Sequence, residues 1–179
     1  MAPVERASLA ARRRALLERV QGRVLEIGGG TGANVPYYNR DARLIISDPD
    51  PSMSRPLQEK AEEGSFQFDF VSSSAEAIPF ETDQFDWAVS TLVLCSVFDP
   101  VRAMAEIARV LKPSGGLLFL EHIRAEGRKK HVQDLLQPVW SLVGSGCHPN
   151  RPTVSIIRDS GFSIEALELF DPFSRFPGL

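Results

Sequence analysis

The chain has 179 residues, 43% of them hydrophobic, which is enough to bury one core but too short for two ordinary domains. A formal charge of −3 gives no basic excess of the kind that holds a nucleic-acid backbone. No apolar run approaches the roughly 18 residues of a membrane helix. We therefore expect one domain without a membrane span that acts on a small molecule and not on nucleic acid.

The two cysteines, Cys95 and Cys147, lie far apart in sequence and match no CxxC spacing. The sequence therefore predicts neither a disulfide framework nor a metal site. The arginines at 12–14 are not followed by a hydrophobic signal region, so the expected location is the reducing cytoplasm.

The first predicted element is an amphipathic helix over residues 6–20. Leu9, Leu16, Leu17 and Val20 recur near helical spacing, with arginines between them. We expect the leucines to dock on the domain and the arginines to form the solvated face.

Short apolar runs then alternate with helical patterns, as in βαβ units, so a mostly parallel sheet is expected. The predicted strands cover residues 24–27, 44–47, 66–71, 85–90, 117–121 and 162–169. The predicted helices cover residues 33–39, 52–63, 100–111 and 131–143. Residues 112–116 should form a tight turn between the third of these helices and the next strand.

A glycine loop follows the first strand, where backbone without side chains can approach a ligand closely. Gly28, Gly30 and Gly32 form a GxGxG spacing after Glu26, whereas dinucleotide enzymes usually have GxGxxG and bind a pyrophosphate. A carboxylate beside the loop suits the ammonium and sulfonium of S-adenosylmethionine and not a phosphate. A tight turn without a ligand and a nicotinamide oxidoreductase remain the alternatives.

The second strand runs into Asp48, about 20 residues beyond the loop, where a carboxylate can accept both ribose hydroxyls. Turn formation or helix capping is the alternative for Asp48, because Pro49, Asp50 and Ser52 follow it. The thioether of Met53 can pack on an adenine face or serve as ordinary core.

Further motifs carry a resemblance to a known family. They are residues 24–32, Asp48, 75–80, 85–86 and 109–116. In their order and spacing the chain resembles the class I methyltransferases of the ubiquinone/menaquinone-biosynthesis type, which use S-adenosylmethionine and release S-adenosylhomocysteine. It also resembles the small alkyl-thiol methyltransferases of the methyltransferase-like group, through residues 32–34, 91–97, 121–122 and 146–147.

This resemblance implies a Rossmann-like three-layer αβα sandwich in one domain over residues 1–179. Residues 1–21 would form the N-terminal helix, 22–122 the cofactor-binding core, and 123–179 the acceptor-side segment with the last strand. Relatives usually close the sheet with a hairpin, but only nine residues follow Phe170, two of them proline. A seventh strand is therefore expected to be missing or truncated, and a second copy of the chain could complete the sheet edge as a homodimer.

The resemblance also distributes the cofactor over the site. It places Ala75 and Glu76 beside adenine and the end of the fourth strand under the methionine portion. Many relatives have Asp where this chain has Ser74, so adenine recognition should differ here. The predicted cofactor-binding residues are Glu26, Gly28, Gly29, Gly30, Thr31, Gly32, Asp48, Pro49, Met53, Ser74, Ala75, Glu76, Ser90, Thr91 and Leu92.

His122 is the candidate catalytic residue, because it follows the fifth strand and ligands of open α/β sheets bind outside the carboxyl ends of strands. A histidine there could raise the thiolate fraction of an acceptor thiol, or it could be structural. The expected function is methyl transfer to a small molecule, a thiol in the narrower resemblance. A quinone-type ring as acceptor and a binding protein without catalysis are the alternatives.

Overall fold

The computed structural model describes residues 3–64, 66–143 and 146–170. The strands are β1 Gly22–Ile27, β2 Ala42–Asp48, β3 Phe68–Ser72, β4 Phe85–Thr91 and β5 Leu111–Leu120. The helices are α1 Pro3–Leu17, α2 Ser54–Gly64, α3 Pro100–Val110, α4 Lys129–Val143 and α5 Thr153–Asp159. Two 3₁₀ turns cover Val35–Tyr37 and Pro51–Met53.

The five strands form one parallel sheet in the order β3-β2-β1-β4-β5, as the alternation of elements predicts. The chain leaves β1 toward β2 on one side and returns to pair β4 on the other. The carboxyl ends of β1, β2 and β4 therefore meet around the point where the strand order reverses. Open α/β sheets bind their ligands at that point.

Side chains of the central strands alternate between two cores, since successive strand residues point to opposite faces. Leu25 of β1 belongs to a core with Met104 and Ile107 of α3. Its neighbour Val24 belongs to a second core with Leu17 of α1 and Leu57 of α2. Helices thus cover both faces, which confirms the three-layer Rossmann-like architecture.

The helix predicted over residues 33–39 is wrong, because only a 3₁₀ turn at Val35–Tyr37 forms there. Pro36 restricts the residue before it and has no N–H to continue a helical ladder. The amide of Tyr37 instead donates to the carbonyl of Asn34 at 2.9 Å, an i to i−3 bond.

The turn predicted over residues 112–116 lies inside β5, which begins at Leu111 instead of residue 117. The register jumps there, because Phe85 pairs with Leu111 whereas Trp87 pairs with Gly116. Pro113 cannot donate to the ladder, and the extra residues are accommodated as an irregularity of the strand.

The strand predicted over residues 162–169 is also wrong, since these residues carry no strand assignment. Phe162 and Ile164 pack against the core of α3, but residues 165–169 are exposed. Arg12 of α1 contacts the end of this segment. Its guanidinium forms an ion pair with Glu168 at 3.0 Å, and the guanidinium carbon lies 3.7 Å from the centroid of the Phe170 ring. These side-chain contacts, and not a strand ladder, fix the segment.

The predicted missing or truncated seventh strand falls on residues 171–179, outside those that the structure describes. Helix α5, by contrast, has no counterpart among the predicted elements. It has only seven residues, too few for a periodic pattern, although it buries Ile157 in the α3 core. Over the described ranges, no helix combines the length and apolar character needed to cross a membrane.

Candidate functional site

The glycine loop has the backbone conformation that its residue type favours. Gly28, Gly30 and Gly32 have φ of 62°, 52° and 75°, in the left-handed region where side chains are strained. A Cβ added at Gly30 would meet nothing within 4 Å. The loop therefore leaves open space at Gly30, as a site for a closely approaching ligand requires.

Gly29 differs from its neighbours, because it has no positive φ and packs closely instead. A Cβ at this position would overlap Cγ2 of Ile46 in β2. The small size of Gly29 is therefore needed for packing of the loop on the sheet. This explains Gly29 without a ligand, and its predicted cofactor contact stays a prediction.

Asp48 ties the end of β2 to the glycine loop. One carboxylate oxygen accepts from the amide of Gly30 at 2.9 Å, and the other accepts from the amide of Asp50 at 3.0 Å. The turn-forming role is therefore present in the structure. Each oxygen keeps a further lone pair, so ribose binding is compatible with these bonds and stays a prediction.

Glu26 is buried at the end of β1, with 2% of its surface exposed. Oε1 accepts from the side-chain amide of Asn34 at 2.9 Å, whereas Oε2 has no hydrogen-bond partner among the described residues. Burial raises the pKa of Glu26 to about 7, against the opposing effects of the nearby Tyr38 hydroxyl, Asn34 and Arg13. An orphaned buried carboxylate oxygen beside a glycine loop fits the ammonium of S-adenosylmethionine.

Arg13 is the first site residue that the sequence prediction missed. Its side chain is buried, 8% exposed, and donates to Oδ1 of Asn34 and to Oγ1 of Thr91 at 3.1 Å. The expectation that all α1 arginines are solvated is therefore wrong for Arg13. A signal existed, because Leu9 and Leu17 lie four residues away on either side and share its helix face.

Asn34 is the second missed residue, and it connects the two charges of the site. Its amide nitrogen also donates to Oγ1 of Thr91 at 3.0 Å, in addition to its bond to Glu26. Glu26, Asn34, Thr91 and Arg13 thus form one buried network, which we call the polar network. It joins α1 to the ends of β1 and β4, and it offers both a carboxylate and a guanidinium.

The end of β4 contains a strained residue. Leu92 has φ of 60°, which is uncommon for a residue with a branched side chain, and its amide donates to Leu120 of β5 at 2.8 Å. Strained backbone of this kind concentrates at ligand sites. The preceding Ser90 is fully buried, and its hydroxyl donates to Oε1 of Glu121 at 2.6 Å.

The predicted adenine-binding segment, residues 74–76, lies beside the start of α3. The carboxylate of Glu76 accepts from the amides of Phe98 at 2.9 Å and Asp99 at 3.2 Å, and the Ser74 hydroxyl bonds to it as well. Ala75 is part of the α3 core. The Glu76 carboxylate is thus engaged in loop structure, and its adenine role stays a prediction.

The remaining predicted cofactor residues lie at the rim of the loops. Met53 is half-buried and packs against the core beneath α2, while Thr31 and Pro49 are exposed. Their cofactor contacts stay predictions.

Glu121 fixes the backbone turn that follows β4. Its carboxylate accepts from the amides of Val93 at 2.9 Å, Leu94 at 3.0 Å and Cys95 at 3.4 Å. Burial raises the pKa of Glu121, and these hydrogen bonds oppose the rise. The turn therefore holds a half-buried acidic group against the backbone amide of Cys95.

Cys95, His122 and Cys147 meet at the same edge of the sheet, and we call them the sulfur cluster. The two Sγ atoms lie 3.3 Å apart, and Nδ1 of His122 lies 3.2 Å from Cys147 Sγ and 3.7 Å from Cys95 Sγ. The hydrogen bond with Cys95 lowers the pKa of Cys147 to about 7, while the same bond raises the pKa of Cys95. The predicted catalytic residue thus lies against two sulfurs, an arrangement that sequence spacing does not reveal.

Comparison with known proteins gives one family for this fold and site. Residues 25–119 match the family described as "Methyltransferase domain". A rat protein named thiol S-methyltransferase TMT1B is 37% identical over 154 residues, which cover 83% of this chain and 63% of that protein. Human TMT1B is 32% identical over 186 residues, which cover 96% and 76%.

The chain spans 59–65% of the length of the first three thiol S-methyltransferases it matches. A Marinomonas UbiE C-methyltransferase of ubiquinone/menaquinone biosynthesis is 38% identical over 109 residues, covering 58% of this chain and 43% of that one. The family resemblance identified in the sequence is thereby confirmed.

Solved structures show the same fold at low identity. A putative methyltransferase from Bacillus halodurans aligns with a TM-score of 0.77 at 18% identity, over 89% of this chain and 71% of that one. The [4+2]-cyclase SpnF aligns with a TM-score of 0.72 at 24% identity, over 89% and 57%. Since a cyclase shares the fold, the reaction has to be argued from the site.

Proposed function

Because the chain belongs to the methyltransferase domain family, whose fold goes with S-adenosylmethionine as cofactor, we propose that it methylates a small-molecule thiol. The polar network beside the glycine loop is the observation that carries the proposal. It offers a carboxylate to the cofactor's ammonium and a guanidinium to its carboxylate. The names of the thiol S-methyltransferase relatives support the acceptor class.

We assign the cofactor to the ends of β1, β2 and β4, within residues 22–122. Oε2 of Glu26 would receive the ammonium, Arg13 would bind the carboxylate of the methionine portion, and Asp48 would accept the ribose hydroxyls. The open space at Gly30 would admit the ligand close to the backbone. When bound, S-adenosylmethionine supplies a methyl group that its sulfonium already makes electrophilic.

The remaining task of the protein is to align a nucleophile and exclude water. We assign this task to the acceptor side, residues 93–97, 121–123 and 146–151. A free thiol has a pKa of about 8.5, so a group that removes its proton speeds attack at neutral pH. His122 is placed for that role, at the carboxyl end of β5 and partly exposed.

Calorimetric titration with S-adenosylmethionine and S-adenosylhomocysteine tests the cofactor. Both should bind, and the affinity should fall at least about tenfold in Glu26→Gln, since a bond to a charged group is lost. Glu18→Gln, an exposed carboxylate at the end of α1, is the matched control. Absence of binding at millimolar concentrations of either ligand would contradict the proposal.

Transfer of a labelled methyl group to a panel of acceptors tests the reaction. Small alkyl thiols should become labelled, whereas prenylated ring precursors should not. Labelling of the rings alone would favour the quinone-type acceptor that the UbiE relatives suggest. Cofactor binding without transfer to any acceptor would favour the binding protein without catalysis.

The outer edge of β5 supports a homodimer as part of the same proposal. Among the described residues β5 pairs only with β4, so its other edge can receive a strand from a second copy. Light scattering during size-exclusion chromatography measures the mass directly. A monomer at micromolar concentration would contradict this part of the proposal and leave the reaction intact.

A further inference from the structure

The sulfur cluster has the spacing of three ligands around one metal ion. Tetrahedral zinc with bonds of about 2.3 Å to sulfur and about 2.0 Å to nitrogen places two sulfurs roughly 3.8 Å apart and sulfur and nitrogen roughly 3.5 Å apart. The observed separations are 3.3 Å between the sulfurs and 3.2 Å and 3.7 Å from the sulfurs to the nitrogen. Adjustments of about half an ångström or less are enough to receive the ion.

Hydrogen bonds to the backbone, separate from the contacts among the donor atoms, connect the three segments that carry these side chains. Glu121 accepts from the amide of Cys95, and the carbonyl of Cys95 accepts from the amide of His148, next to Cys147, at 2.7 Å. The hydroxyl of Thr153 donates to the carbonyl of His122 at 3.1 Å. The donor atoms are therefore positioned by three different segments, which is how metal ligands are preorganised.

Burial and charge favour a cation at this point. Cys95 and Cys147 are 1% and 6% exposed, and the half-buried Glu121 accepts from the backbone amide of Cys95. Two thiolates beside a carboxylate are unfavourable in a dry interior unless a positive charge neutralises them. A divalent ion balances both thiolates, and sulfur with imidazole is the donor set of zinc and other thiophilic metals.

We propose that Cys95, His122 and Cys147 bind a zinc ion whose fourth position receives the sulfur of the acceptor thiol. Two cysteines and one histidine with an open position are the ligand pattern of a catalytic zinc site, whereas structural sites have four protein ligands. This inference rests on the proposed thiol methylation for its acceptor. Binding of the zinc ion itself requires only the three residues of the sulfur cluster.

The chemistry balances without an oxidant or reductant. With zinc bound, His122 would act as a ligand and not as the proton acceptor, and the acceptor thiol would lose its proton to solvent as its sulfur coordinates the ion, since a coordinating thiol is deprotonated outright. A lone pair of that sulfur then forms the new carbon–sulfur bond to the methyl group. The old bond to the sulfonium breaks, and its electron pair stays on the sulfur of S-adenosylhomocysteine. The products are a methyl thioether and S-adenosylhomocysteine.

Metal content of the full chain tests the site without relying on activity. Protein reduced with a phosphine, loaded with zinc and dialysed should retain about one zinc per chain, as a three-ligand site predicts. Cys147→Ser and His122→Ala should each weaken zinc binding at least about tenfold. His131→Ala, an exposed histidine of α4 outside the cluster, should retain the wild-type content. Cys147→His, which keeps a ligand atom, should restore zinc where Cys147→Ser loses it, provided that circular dichroism shows both variants folded.

Cobalt substitution reads the ligands directly. Cobalt-loaded protein should show a sulfur-to-metal charge-transfer band that disappears in Cys147→Ser and shifts when a small thiol is added. Loss of zinc to a chelator should abolish thiol methylation while leaving the affinity for S-adenosylmethionine unchanged, which separates this site from the cofactor site. Folded, reduced wild-type protein without zinc, equal zinc in the cluster variants, or a Cys95–Cys147 disulfide in place of the ion would overturn the proposal.

Discussion

The glycine loop with its carboxylates on the cofactor side and the sulfur cluster on the acceptor side differ in how far apart their interacting residues lie in sequence. Asn34 and Glu26 are 8 residues apart, and Gly30 and Asp48 are 18 apart. In the sulfur cluster, by contrast, 27 residues separate Cys95 from His122 and 52 separate it from Cys147. The Glu26–Asn34 and Gly30–Asp48 bonds lie within β1, β2 and the segment that connects them. The sulfur cluster, like the bonds of Thr91 to Arg13 and Asn34 across 78 and 57 residues, exists only after β4 has joined the sheet.

The two sides also differ in their chemistry. The polar network has hard oxygen and nitrogen groups of both charges, which suits an amino-acid portion of a ligand. The sulfur cluster has polarizable sulfurs and one imidazole, which suits another sulfur or a thiophilic ion. Changes on one side should therefore leave the function of the other side intact.

His122→Ala should give the largest effect and tests that independence. Turnover should fall at least about 100-fold, the lower range for loss of a proton-transferring group, and loss of a metal ligand predicts the same direction. The affinity for S-adenosylmethionine should stay within about twofold, because the polar network is untouched. Single-turnover kinetics measures the turnover and calorimetry measures the affinity, with His131→Ala as the control. A parallel loss of turnover and affinity would contradict the independence of the two sides.

Gly29→Val tests whether packing fixes the middle of the glycine loop. Overlap with Ile46 should lower the free energy of unfolding by about 3 kcal/mol, the upper range for overpacking. Gly64→Ala, at the end of α2 with nothing near its Cβ, should change it by less than about 1 kcal/mol. Urea denaturation followed by circular dichroism measures the free energy of unfolding of both variants. Equal stability of the two variants would show that the loop relaxes around the larger side chain.

Glu26→Gln tests the charge of the cofactor side through pH. The pKa of Glu26 is raised from 4.5 to about 7, so its protonated form stabilises the folded chain below about pH 4.5, and this stability is lost as the pH rises through about 7. Relative to Glu26→Gln, the wild type should lose up to roughly 3 kcal/mol between these limits. Affinity for S-adenosylmethionine should change in the opposite sense and rise as Glu26 ionises.

Denaturation of both proteins at about pH 5 and about pH 8, without ligand, measures this difference. A constant difference between wild type and variant at the two pH values would mean that Glu26 does not titrate in this window.

Arg13→Ala should have the smallest of these effects on the fold. Its removal leaves Oδ1 of Asn34 without this donor, while Oγ1 of Thr91 keeps its bond from the Asn34 amide, and this should cost about 1–2 kcal/mol of stability. Arg19→Ala, an exposed arginine just after α1, should change stability by less than about 0.5 kcal/mol. Thermal unfolding with and without S-adenosylmethionine compares them, and stabilisation by the ligand should be weaker in Arg13→Ala only.

The sequence was sufficient where local patterns determine structure. The first strand, the glycines and the end of the next strand follow one another along the chain, so the sequence alone places Gly28, Gly30 and Asp48. Arg13 was missed because a charged residue between leucines was assigned to solvent, although its spacing from Leu9 and Leu17 placed it on the buried face. The sulfur cluster was missed for a different reason, since no pattern in the sequence measures the distance between loops that follow different strands.

The divided roles of Gly29 and Gly30 predict how the loop would change in a lineage released from cofactor binding. At Gly30 a left-handed backbone in open space admits asparagine or aspartate with little strain. Gly29 would persist, because its replacement damages the fold whether or not a ligand binds. A homologue with glycine at the position of Gly29 and another residue at the position of Gly30 would therefore be recognisable as a protein that folds normally but no longer binds the cofactor.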